Sequence, residues 1–419
     1  MKRMTLHTST EKENTIGHPN KRRARCGMTW LIALALTSAT GAFAGQPSSP
    51  DSPPIAFRLI PDRPTRDISF ANEVEHAIDR GLAFLLSSQN EAGWWSTADH
   101  PAVTGLALSA FLGHPQDRYR TNRPPDLGKG FQFIVDSVKP DGRIYRTSLA
   151  NYNTAICAMA LFLAGDPAYT PAVKRARQWL ASTQVDLGKQ DALDSPFDGG
   201  VGYNDKYEHS DLNNTLMALE TMYYTRAVDP ERSDGLDWEA AIHFIQHCQN
   251  LPSHNSEPWV SQAPEDRGGF VYLPGESKAG ERTDPATGRV ALRSYGTISY
   301  AGLLSYIYAD LDRDDPRVAA VLQWLRENYT LEENPAMGLQ GYYYYLHLMS
   351  KALATLQLDS LKLKDGSKVD WRRALAMRLI NLQKANGSWF NSNGRWWEND
   401  PNLVTAYSVM ALEFLYPGL

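Results

Sequence analysis

The sequence predicts an all-α protein, an (α/α)6 toroid in which six helical hairpins close into two concentric rings. Three observations predict it. A helix, glycine turn, helix unit recurs along the chain, which is the signature of a repeat architecture. In each unit one helix is amphipathic and its partner is apolar nearly all round, so the second belongs inside other helices. The terminal units are as apolar as the middle ones, whereas an open superhelix needs polar caps at its ends.

The last unit is the plainest. Trp371, Leu375, Leu379 and Leu382 fall on one face of an amphipathic helix. A turn at 383–390 carries Asn386-Gly387, which ends the helix, and Trp389-Phe390. Residues 403–415 then form an inner helix rich in Val, Ala, Leu, Met and aromatic residues. The first unit has an outer helix at 77–89, a turn at Gly93-Trp94-Trp95 and an inner helix from Val103. The second pairs 130–138 with a turn at Gly142 and an inner helix from Tyr152; the third pairs 173–184 with Gly199-Gly200 and Asn213 onwards. The fourth runs 238–249, Gly268-Gly269 and Tyr295 onwards, and the fifth runs 318–329, Gly338 and the tyrosines at 342–345. Threonines open the inner helices at 104, 154, 215, 297 and 405. Trp94, Trp389 and Phe390 read as braces for outer-helix ends. Two long loops, 185–211 and 273–294, stand at the inner-helix starts, where the mouth of a barrel is expected; long loops in a compact domain tend to be functional.

Composition narrows the function. The formal net charge of −5 argues against a nucleic-acid surface, and three cysteines exclude a disulfide scaffold or a four-thiolate zinc cluster. Eleven Trp and twenty Tyr gather around the glycine turns and inner-helix starts, as the wall of an aromatic cavity would. Lys21-Arg22-Arg23-Ala24-Arg25, an apolar run from Met28 and Ala42-Phe43-Ala44 read as a signal peptide over 1–44, cleaved near Ala44. The apolar run is too short to span a bilayer. Export to the periplasm or beyond is therefore expected. Cleavage would remove seven Lys/Arg and two Asp/Glu, leaving a chain more acidic still. Residues 45–70 are rich in Pro, Ser and Asp and read as a linker, with the toroid over 71–419.

The Gln-to-Trp turns (Gln89 to Trp94, Gln383 to Trp389) and the inner-helix openings resemble the terpenoid cyclase and protein prenyltransferase superfamily, over residues 71–417. Within it the chain is similar to exported proteins built from prenyltransferase and squalene-oxidase repeats. The resemblance implies an apolar, isoprenoid-type ligand in a central cavity, and no cofactor. Squalene-hopene-type cyclases protonate an alkene with an Asp-x-Asp-Asp-Thr motif. The string Asp312-Arg313-Asp314-Asp315 imitates it, but Asp315 stands before Pro316 as a helix cap, as Asp166 does before Pro167. The positional counterpart is Asp211-Leu212-Asn213-Asn214-Thr215, where amides replace the two carboxyls that matter. Amides cannot protonate an alkene. Cyclase or mutase chemistry thus lacks its usual acid; only Asp211, with His209, could be recruited, and Asp211 also reads as a helix cap.

Zinc ligation, as in the prenyltransferases, is absent from 292–296, and no His-Glu-x-x-His or thioester motif occurs, so no metal is expected. Cys157 and Cys248 read as packed thiols. The expected lining of the mouth is Tyr152, Asn153, Asn213, Asn214, Arg293, Tyr295, Tyr343, Tyr344, His347, Trp396 and Trp397. His347 also reads as a core histidine, and a helix turns only one or two of the four tyrosines inward. Two other readings stay open: a polysaccharide lyase or hydrolase on the same scaffold, using Tyr, His, Arg and Asn, and a non-catalytic interaction module. The sequence leaves turnover undecided.

Overall fold

The structure, a computed structural model, describes residues 67–204, 209–228, 235–283 and 287–419. The leader expected over 1–44 and most of the linker lie outside the described residues. The toroid's first helix begins at Ile68, inside the stretch assigned to the linker.

Six outer helices, α1 (Ile68–Ser88), α4 (Pro125–Val135), α6 (Thr170–Ser182), α8 (Trp238–His247), α10 (Pro316–Glu327) and α12 (Trp371–Leu382), alternate with six inner ones. The inner helices are α2 (Pro101–Leu112), α5 (Ala150–Leu163), α7 (Leu212–Tyr224), α9 (Gly296–Tyr308), α11 (Tyr342–Thr355) and α13 (Pro401–Leu415). A short α3 (Arg118–Thr121) follows α2, and an antiparallel hairpin, β1 (Glu281–Thr283) with β2 (Val290–Leu292), interrupts the second long loop. Each inner helix packs on the next, α2 on α5, then α7, α9, α11 and α13, and α13 returns to α2. The ring is closed, as the apolar terminal repeats predict.

One joint recurs around the ring, and the turn sequence explains it. In five repeats a glycine at positive φ sits on the main chain of the next outer helix: Gly93 on Lys129, Gly142 on Arg175, Gly199 on Ala240, Gly268 on Ala320 and Gly387 on Arg80. A Cβ at Gly387 would stand 2.3 Å from the Arg80 carbonyl oxygen, so no other residue fits. The glutamine ending the outer helix ties the same joint. Gln89 Nε2 donates to the Gly93 and Asp126 carbonyls, Gln184 to Gly199 and Asp237, Gln249 to Gly268 and Arg317, and Gln383 to Gly387 and Ala77. Gly338, in the fifth repeat, faces open space and departs from the pattern.

The inner-helix hydroxyls close each turn from the other side. Thr104, Thr154, Thr215 and Thr405 accept the N–H of Trp95, Ile144, Val201 and Trp389. In the fourth repeat Ser299, and not Thr297, accepts the Phe270 N–H at 3.0 Å. The working hydroxyl is the fourth or fifth residue of its helix, and Thr297 comes too early. Trp95 and Trp389, both fully buried, brace their outer helices by donating to the Leu85 and Leu379 carbonyls. The first-repeat brace is therefore Trp95 rather than Trp94, and Phe390 is exposed.

Candidate functional site

The closed ring leaves a hollow, and helical periodicity decides which residues face it. Tyr344, His347 and Lys351 repeat at the spacing of one face of α11; Tyr407, Met410 and Phe414 do so on α13. Tyr152, Ala155, Ile156, Met159 and Leu163 form the stripe of α5. Met217, Glu220 and Thr221 come from α7, and Leu106 and Ser109 from α2. The hollow holds about 60 Å³ of room for a water-sized molecule, and about 580 Å³ only when all the space between its side chains and that open to solvent is counted. A second one, bounded by Leu112, Gly113, Arg120 and Glu413, shares Ser109, Leu163, Met410 and Phe414 with it. The lumen thus continues toward the C-terminal ends of the inner helices.

The opposite end, where the sequence places the mouth, is narrowed by aromatic rings and hydrogen bonds. Tyr344 donates to Asn213 Oδ1 at 2.6 Å, its ring lies 5.2 Å from that of Tyr407, and the Tyr152 and Tyr407 hydroxyls are 3.5 Å apart. The physical reason is that helix N-termini present unpaired N–H groups, which buried caps satisfy here. Asp211 caps α7, accepting from the N–H of Asn213 at 3.0 Å and of Asn214 at 2.9 Å, and from Asn214 Nδ2 at 2.7 Å. Burial pushes its carboxyl up to about 6, while the Asn214 hydrogen bonds and the nearby charge of His209 pull the other way. Asp211 is fully buried and His209 half-buried beside it.

The remaining expected residues divide clearly. Tyr152, Tyr344 and His347 line the hollow. Asn153 is a strut, accepting from the Ala102 N–H and donating to the Ser148 and Leu149 carbonyls. Tyr295 is buried at the start of α9, and burial raises its phenol well above the ordinary value. Arg293 is half-buried, its carbonyl accepting from Ser277. The main-chain N–H groups of Tyr343 and Tyr344 donate to the buried Glu398 carboxylate, which anchors the loop carrying Trp396 and Trp397. Both tryptophans are 45% exposed and outside the lumen wall described above.

Sequence reasoning missed the charged part of the wall. Glu220 and Lys351 form a direct ion pair across the lumen, 7% and 4% exposed. Glu220 is the one carboxylate of α7 and Lys351 the one lysine of α11, and that is the signal that could have found them. His347 stacks against Tyr407, ring centroids 5.4 Å apart; burial and the Lys351 charge hold its imidazole well below the ordinary value and therefore neutral. Cys157 and Cys248 are buried free thiols, with burial raising both. Asp315 accepts from the Arg317 N–H at 2.9 Å, the helix cap expected of it.

The fold and site define a class: an (α/α)6 toroid with a closed inner ring around an aromatic and aliphatic lumen. No family model and no curated protein matches the chain. Among solved structures it is similar to a type II terpene cyclase from Scytonema, 12% identical over 84% of this chain and 99% of that one, TM-score 0.51. It is equally similar to an α-1,6-mannanase from Salegentibacter solved with α-1,6-mannotriose, 11% identical over 82% and 99%, TM-score 0.51. An α-mannanase from Bacteroides thetaiotaomicron matches at 10% identity over 81% and 95%, TM-score 0.51. These likenesses show the toroid fold.

Proposed function

We propose that the protein binds an apolar, isoprenoid-type molecule in its lumen, and that it reaches this ligand outside the cytoplasm by the export signal at its N-terminus. The observation that carries the reading is the wall itself: Leu106, Ile156, Met159, Leu163, Met217, Met410 and Phe414 line the space inside the closed ring. Apolar surface held open inside a folded barrel is repaid when an apolar guest occupies it. The terpene cyclase with this fold supports the choice of guest.

Around the first hollow the groups favour binding over cation-initiated cyclisation. Asp211 is engaged as a helix cap, Glu220 is held by Lys351, and His347 is neutral. None is a free acid able to protonate an alkene. A carbohydrate ligand is the second reading, favoured by the Tyr, His and Lys groups within the lumen and by the mannanases of the same fold. The test is titration of the purified protein with farnesol and with α-mannan oligosaccharides, followed by intrinsic fluorescence. Saturable quenching by farnesol, lost in the lumen-filling Met159→Trp variant, is expected. Saturation by the oligosaccharides alone would transfer the assignment to the second reading.

A further inference from the structure

Around the first hollow the charged side chains, with His347, gather in one patch. Glu220 on α7 and Lys351 on α11 pair directly, and His347 lies one turn before Lys351 on the same face. His347 is 5% exposed, its Nδ1 has no hydrogen-bond partner, and its ring stacks against that of Tyr407. Lys351 Nζ also stands 5.6 Å from the centre of the Phe414 ring. The pair caps no helix end, unlike Asp211, Asp237, Asp315, Asp370 and Asp400, whose carboxylates each satisfy helix N–H groups.

A buried ion pair gives less stability than well-packed apolar residues of the same volume. Its presence in an otherwise uncharged stretch of wall therefore points to recognition. The balance of charge says what is recognised. Lys351 is neutralised by Glu220 and His347 is uncharged, so the patch has no net charge but offers both a donor, the ammonium, and an acceptor, the imidazole Nδ1.

We infer that the lumen ligand is an apolar molecule ending in a neutral hydroxyl, which accepts from the Lys351 ammonium and donates to His347 Nδ1. The inference rests on the lumen being the ligand site. A diphosphate head would bring two or more negative charges to an ammonium already paired, and burying uncompensated charge is costly. A hydrocarbon without a head would leave the His347 nitrogen unpaired and gain nothing from the patch.

The experiment compares farnesol, farnesyl diphosphate and the hydrocarbon farnesene as ligands of the full chain by calorimetric titration. Farnesol is expected to bind about tenfold or more tightly than either, the worth of a buried hydrogen-bonded head. Equal or tighter binding of the diphosphate, or equal binding of farnesene, overturns the inference while leaving the lumen reading intact. Failure of all three to bind overturns both. Glu220→Gln removes the counter-charge and is expected to move the preference toward the diphosphate by about tenfold. Should that variant fail to fold, the three-ligand comparison on the unaltered protein decides alone.

Discussion

Asp211 and Asn214 grip each other twice, the aspartate accepting from both the main-chain and the side-chain nitrogen of the residue three positions on. The opening of α7 is thereby a closed capping knot. A carboxylate so engaged titrates as part of the structure.

The stability of the protein should record that titration. Burial raises the Asp211 carboxyl from an ordinary value near 3.8 to about 6, so the folded state holds the proton more tightly than the unfolded one. The contribution is therefore fully present below about 4 and is lost as pH rises through about 6. The difference in unfolding free energy between wild type and Asp211→Asn should move against wild type by about 3 kcal/mol across that window. A difference that stays flat from pH 4 to 7 in denaturant titrations would contradict it.

The inner-helix hydroxyls separate into used and unused. Thr405→Val strips the buried Trp389 N–H of its acceptor and should cost about 1–3 kcal/mol. Ser299→Ala should cost a similar amount through Phe270. Thr297→Val removes a buried hydroxyl that has no hydrogen-bond partner, and should be neutral or stabilising. Thermal melts of the three variants rank them.

The turn glycines give a sharper contrast. Gly387 has φ +88 and lies against the Arg80 carbonyl, so Gly387→Ala combines left-handed strain with a main-chain clash and should cost about 3 kcal/mol or more. Gly338, at φ +59 in open space, should tolerate Ala for about 1 kcal/mol. Equal costs in chemical denaturation would mean that the joint does not bear on the next outer helix.

Breaking the lumen pair on one side should be worse than removing it. Lys351→Met alone leaves Glu220 buried without a partner and should cost about 3–5 kcal/mol, whereas Glu220→Leu with Lys351→Met should come back to near wild-type stability. A double variant as unstable as the sum of the single ones would show that the pair supports the fold.

The hairpins, their order and their closure were legible because each rests on local pattern: amphipathic outer helices, apolar inner ones and a glycine where only glycine fits. The lumen was less legible. Attention to helix openings picked out Tyr152 and Tyr344, which do face the hollow, and Asn153, which is a strut between α5 and α2. Glu220 and Lys351 lie in the third turn of their helices, and only the superposition of all six inner helices brings them together. Thr297 shows the same limit. Its place in the chain suited the pattern, but its place in the helix did not.

The bond from Gln383 to Ala77 is the same tie that joins Gln89 to Asp126. The molecule therefore has no privileged beginning. Asp67 N–H already meets the Leu419 carbonyl at 3.2 Å, so a short peptide can bridge them. A circular permutant that joins these ends and opens between another pair of neighbouring hairpins should reach the same native state.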